Sequence, residues 1–186
     1  MANENWCMIG YHSVSVLADA VAKGLPLDKE EVLKAMVSSS TIPYLDGTGE
    51  YMEKGYVALD HNGSAASLTL EYAYDDWTIY HTALLAGNRS VADTYKKRAA
   101  NYTNVFDTNM GYARPRYADG RWKENFNLLN THGEGFIEGN ALNYSFYVPQ
   151  DVDNMIRLMG GDKSFVSILR HSRACRKAEV SVALGN

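Results

Sequence analysis

Between Ser64 and about Ala86 the sequence carries its longest helical period. Ala65, Leu68, Tyr72, Ile79, Ala83 and Leu84 share one stripe, and Gly87-Asn88 closes it. Three carboxylates, Glu71, Asp75 and Asp76, lie inside this apolar helix. Glu71 and Asp75 are one turn apart and repel each other if both are exposed. If buried, each needs a partner, because an unpaired charge is costly to remove from water. That demand constrains how the remaining segments are arranged. A structural reading has these groups capping or pairing with neighbouring loops. A functional reading makes Asp75, Asp76 and Trp77 candidates for ligand contact.

Helical spacing recurs on both sides. Val14, Leu17, Ala18 and Val21 predict a helix from His12 to Lys23, stopped by Gly24 and Pro26. Asp28 reads as the N-cap of a second helix, with Glu31 completing a capping box and Val32, Leu33, Met36 and Val37 facing inward. The short connection makes these two an antiparallel hairpin. Beyond Gly87, Ser90 and Asp93 predict a helix to Phe106, with Ala92, Tyr95, Ala99, Tyr102 and Phe106 inside. Further helices are expected from Glu138 to about Tyr147, from Asp151 to Gly160-Gly161 with Val152, Met155, Ile156 and Met159, and from Asp162 with Phe165, Val166 and Leu169.

Two long non-helical stretches separate these helices. Residues 41–63 are punctuated by Pro43, Gly47, Gly49, Gly55 and Gly63, with Tyr44, Tyr51 and Tyr56 between. Residues 107–135 hold Tyr112 to Trp122 around Asp119-Gly120, a short β-hairpin pattern. Loops of this length in a compact domain are uncommon and often functional. No short helical repeat is present. The fold class is all-α: antiparallel helix hairpins closing into part of a toroid, with the long loops gathered at one end.

One loop holds a candidate for acid catalysis. Thr131-His132-Gly133-Glu134-Gly135 leads into Phe136-Ile137-Glu138-Gly139-Asn140-Ala141. With Phe136, Tyr144, Phe146 and Tyr147 nearby, Glu138 is expected to be partly desolvated, which raises a carboxyl pKa and keeps a proton available. The plainer alternative puts Glu138 in a helix first turn, where the macrodipole favours an anion.

Composition narrows the partners. A net charge of -4 with scattered Lys and Arg, apart from Arg170, Arg173, Arg176 and Lys177, argues against nucleic acid. Thirteen tyrosines suit a carbohydrate site, though they suit ordinary cores as well. Cys7 and Cys175 form no CxxC pair, so structural zinc is not expected, and a disulfide between them requires the chain ends to meet. No apolar run approaches the ~18 residues of a membrane span. Met1 to Asn5 lack the basic and apolar regions of a signal peptide.

Four stretches in order resemble glycoside hydrolase family 92, the calcium-dependent exo-acting α-mannosidases. They are Met8 to Ala20 (MIGYHSVSVLADA), Leu70 to Trp77 (LEYAYDDW), Gly111 to Arg116 (GYARPR), and Glu138-Gly139-Asn140-Ala141 with Val148-Pro149-Gln150-Asp151. The resemblance spans residues 6–168. It implies an (α/α)6 catalytic toroid over residues 1–170, preceded by a β-sandwich domain, and hydrolysis of terminal α-linked mannose in mannosides or N-glycans with inversion. It puts Glu138 at the general acid position. In such a mechanism a second carboxylate activates water about 6.5–9.5 Å away. His12, Asp75, Asp76, Trp77, Arg114, Asn140 and Gln150 become candidate substrate contacts. Each also has a structural reading: His12 as a core histidine, Trp77 as core, Arg114 as partner of Asp75 or Asp76, and Gln150-Asp151 as a cap.

The departures are the absent β-sandwich, the absent segment for the catalytic base, and a basic tail at 171–186 unlike the family. They imply an internal piece, inactive alone, of an enzyme that works in the periplasm or outside the cell. Calcium is expected for the parent enzyme and not for these residues, since Asp75, Asp76 and Asp151 lack the spacing of an oxygen cage. A non-catalytic helical interaction domain, or another (α/α)6 hydrolase or lyase, are the competing classes.

Overall fold

A computed structural model describes the backbone of residues 8–183 and side chains to residue 172. The helices are α1 (Ser13–Ala22), α2 (Lys29–Ser39), α3 (Thr48–Lys54), α4 (Ala65–Leu85), α5 (Arg89–Arg98), α6 (Ala141–Tyr144), α7 (Val152–Leu158) and α8 (Asp162–Ala183). Among the described residues, strands are limited to β1 (Phe106–Asp107) and β2 (Tyr112–Ala113), paired antiparallel with Phe106 opposite Ala113. Cys7, the Cys175 side chain and the side chains of Arg173, Arg176 and Lys177 lie outside the described residues.

Helix α4 is the hub, packed by α1, α2 and α5. Its predicted stripe is one of two buried faces. Ala65, Leu68, Tyr72, Ile79 and Ala83 face a core with Val14, Leu33, Met36, Ala92 and Tyr95. Ala66, Leu70 and Ala73 face a second core with Tyr102, Val105, Phe106, Phe136, Met155 and Met159. A helix buried on two sides carries its polar groups inside, which explains carboxylates in its middle. Leu84, assigned to the stripe, is exposed at the helix end.

Several boundaries move. Asp28 caps α2 as expected, accepting from the Glu30 and Glu31 N–H groups. Both α1 and α4 end on Gly24 and Gly87 with paired backbone bonds, Leu25 N–H to Ala20 O and Asn88 N–H to Ala83 O among them. Residues 41–63 are not all loop, because α3 lies there between Gly47 and Gly55. Seven residues with only Thr48 and Tyr51 buried are too few to show a period.

The helix expected to reach Phe106 stops at Arg98. It is capped by Asn88 rather than Ser90, and a 3-10 turn over Asn101–Val105 leads into β1. There Thr103 bonds back to Ala100 O and Asn104 reaches Gly55 O, competing with helix propagation. The expected hairpin is partly realised: β2 pairs with β1, and Arg116 bridges Trp122 around Asp119-Gly120. Among the described side chains of α8 the buried one is Ile168, while Val166 and Leu169 are exposed.

Candidate active site

The carboxylates of α4 obtain their partners from three directions. His12, at the N-terminus of α1, sets Nδ1 2.8 Å from Asp75 Oδ1 and Nε2 3.0 Å from Glu71 Oε2. One imidazolium thus resolves the repulsion between two acids a turn apart. Its hydrogen bonds to Asp75 and then Glu71 raise the His12 pKa to about 10. Burial pushes Asp75 up, opposed by His12 and by the Tyr11 N–H at 2.9 Å. A Cβ at residue 10 would come within 2.6 Å of the His12 ring, so Gly10 makes this approach possible.

Asp76 faces the other way. Its Oδ2 accepts from Arg98 Nε at 2.8 Å and the Tyr51 hydroxyl at 2.9 Å, and its Oδ1 accepts from the Tyr11 hydroxyl at 2.8 Å. Burial raises its pKa to about 6 against the pull of Arg98 and the two tyrosines. Asp76, a candidate contact by sequence, is enclosed and spends its oxygens on the core. Arg114 is not the partner of Asp75 or Asp76. It pairs with Asp107 at 2.9 Å and donates to Lys123 O, which holds the strand ribbon.

Tyr147 lies near Glu71 and packs on Tyr74, its hydroxyl pKa raised chiefly by burial and then by the Glu71 charge. Trp77 lies half-buried against Tyr74 and His81. Asn140 caps α6, accepting from Asn143 N–H, and donates to Leu129 O. The Gln150 amide differs, since neither its Nε2 nor its Oε1 meets a partner among the described residues although both are buried. Glu71, Tyr144 and Tyr147 were noted in the sequence but not singled out as candidate contacts. The only available signal was that a carboxylate in mid-helix needed partners.

Glu138 sits two residues before the α6 cap, outside any helix turn, and is exposed. The expected shelter of rings is not observed. Phe136 is buried beneath the loop, Phe146 packs on Phe165, and Tyr147 turns to Glu71. What distinguishes Glu138 is its backbone, at φ 49 in the left-handed region. The other non-glycine residues there among the described residues are Asp46 and Asn125, types that tolerate it better than Glu. Beside Glu138 lies a hollow of about 610 Å³ bordered also by Ser64, His132 and Phe136. Tyr144 connects the two acids: burial, then Glu71 and Glu138, raise its pKa.

Among the described residues no group of three or more His, Cys, Asp or Glu is arranged to hold a metal ion. Asp75 and Asp76 are committed as above, and Asp151 accepts from the Tyr102 hydroxyl at 2.7 Å. These residues do not fit a calcium ion. Among the described residues no helix is long and apolar enough to cross a membrane.

A sequence model of the glycosyl hydrolase family 92 catalytic domain matches residues 1–182. The family GH92 α-mannosidase of Bacteroides thetaiotaomicron solved with mannoimidazole superposes with a TM-score of 0.87 at 36% identity, covering 91% of this chain and 23% of that one. A family GH92 inverting mannosidase from Bacteroides thetaiotaomicron VPI-5482 gives 0.82 at 34% identity, covering 88% and 23%. An uncharacterized secreted glycosidase of Arthroderma benhamiae is 26% identical over 199 residues, 86% of this chain and 26% of that protein. The chain therefore spans about a quarter of the length of these relatives. The solved relatives are (α/α)6 toroids, and the helix pairs described above are part of such a ring.

Proposed function

Because the chain belongs to glycosyl hydrolase family 92, we propose that it contributes the general acid to an enzyme that removes terminal α-linked mannose with inversion. The observation that carries this is the backbone of Glu138. A Glu at φ 49 stores strain that the surrounding fold must hold in place. It projects a carboxyl into open space beside a hollow of ligand size. In hydrolysis the Glu138 carboxyl gives its proton to the departing glycosidic oxygen as that bond breaks, while a water attacks the opposite face of the sugar. No residue of this chain is assigned the base, and no step is assigned to calcium.

Beside the acid assignment, the orphaned Gln150 amide supports a role in binding sugar hydroxyls on its own account, since a buried amide without partners is costly unless a ligand meets it. His12, Trp77 and Asn140 remain candidates, His12 by its half-exposed imidazolium and Trp77 by its ring. Asp75, Asp76 and Arg114 act on substrate only through the groups they hold. Work outside the cytoplasm is part of the same proposal, supported by the secreted glycosidase relative.

The test is to incubate the full-length enzyme with α-linked mannobioses and follow the first product by proton NMR. Release of mannose first as the β-anomer agrees with the proposal. Release first as the α-anomer contradicts inversion, and no release contradicts the substrate class. Binding of mannosides without cleavage would instead favour an interaction domain.

A further inference from the structure

Glu138 is gripped from both sides by one pair of residues. Ser67, on the first turn of α4 and fully buried, accepts the Ile137 N–H through Oγ at 3.1 Å. The same residue lies near the Tyr144 hydroxyl and draws its pKa down against the effect of burial. The Tyr144 ring in turn lies against Gly139, so close that a Cβ there would sit 3.2 Å from the ring. Two residues before Ile137, Gly135 O accepts from the Ala66 and Ser67 N–H groups at 2.9 and 3.2 Å. That bond gives the α4 N-terminus the acceptor it lacks, because Ser64 makes no side-chain cap.

We infer that Ser67, acting with Tyr144, is a positioning residue that holds the strained backbone of Glu138 and so aims its proton at the leaving oxygen. This rests on the reading of Glu138 as the general acid. Strained conformations persist only where the surroundings over-determine them. Here the flanking residues Ile137 and Gly139 are held by the Ser67 hydroxyl on one side and the Tyr144 ring on the other. Ser67 touches no substrate in this arrangement. Its effect passes through the loop, and a shift of about 1 Å in the acid costs up to roughly a hundredfold in rate.

The test compares Ser67→Ala, Ser67→Thr, Tyr144→Phe and Glu138→Gln in the full-length enzyme on two substrates. One is an α-mannobiose, whose leaving group needs a proton, and the other is dinitrophenyl α-mannoside, whose leaving group does not. Misplacement of the acid lowers kcat on mannobiose by about ten- to a hundredfold for Ser67→Ala, with KM within about threefold, and spares the dinitrophenyl substrate. Tyr144→Phe, which keeps the ring, shows a smaller loss of the same kind, and Ser67→Thr restores the hydroxyl and most of the rate.

Equal losses on both substrates, or none on either, with Glu138→Gln still selective for mannobiose, overturn the role of Ser67 alone. If Glu138→Gln is itself unselective, the acid assignment fails and the positioning role fails with it. Melting temperatures recorded alongside separate general unfolding, which depresses both substrates together, from loss of aim.

Discussion

Asp75 and Asp76 are adjacent in sequence, yet their carboxylates serve opposite sides of α4. Asp75 Oδ1 meets His12 Nδ1 at 2.8 Å, and Asp76 Oδ2 meets Arg98 Nε at 2.8 Å. On a helix, consecutive residues point about 100° apart, so a pair of acids can tie together two unrelated elements. One holds the start of α1 through His12 and the Tyr11 N–H. The other ties α5 into the core.

The Arg98 tie is a stability feature. Asp76 is fully buried, so Arg98→Ala strands a charge where water cannot reach it, at a cost of about 3–5 kcal/mol. Asp76→Asn keeps hydrogen-bonding atoms facing Tyr11 and Tyr51, and it leaves a guanidinium that retains some access to solvent. Thermal unfolding of the full-length protein should rank Arg98→Ala as the more damaging change. The reverse order would contradict the burial argument.

The His12 tie is sensitive to alkali. Its folded pKa is raised from about 6.5 to about 10, so the pairing stabilises the fold fully below about pH 6.5 and is lost as pH rises through about 10. The gap in melting temperature between wild type and His12→Leu should therefore be widest near pH 6.5 and close towards pH 10. Parallel pH curves would show that the ion pair contributes nothing.

Gly139→Ala tests a different contact. The added methyl presses on the Tyr144 ring at 3.2 Å, and the ring must give by a few tenths of an ångström. With a small change in melting temperature, kcat on an α-mannobiose should fall by about tenfold as the neighbouring carboxyl shifts. Wild-type turnover would show that the loop absorbs the methyl without moving Glu138.

Gln150 separates stability from binding. Its buried amide is unpartnered among the described residues, so Gln150→Leu should leave melting unchanged or raise it. If the amide meets sugar hydroxyls, KM rises by about tenfold or more with it. An unchanged KM would remove Gln150 from the binding site.

Much of the helical frame was legible in the sequence, because the Asp28 cap and the stripes of α1, α2 and α4 are local signals. What was not legible depends on contacts between distant residues. The second buried face of α4 became apparent only when the 3-10 turn, β1 and α7 were packed on it. The predicted helix starts at Ser64, but the acceptor for its first N–H groups is Gly135 O, 69 and 68 residues from the Ala66 and Ser67 donors. Asp76 found Arg98 rather than Arg114, a choice no spacing rule makes. For Glu138 the sequence misjudged the environment: it is exposed and strained rather than sheltered by rings.

The most direct measurement is the turnover of an α-mannobiose by full-length Glu138→Gln. As a general acid, Glu138 is worth about 10²–10⁴-fold, so kcat should fall by that factor while the amide preserves shape and KM stays near wild type. Turnover of Glu138→Gln within about twofold of wild type would contradict the assignment of Glu138 as the acid.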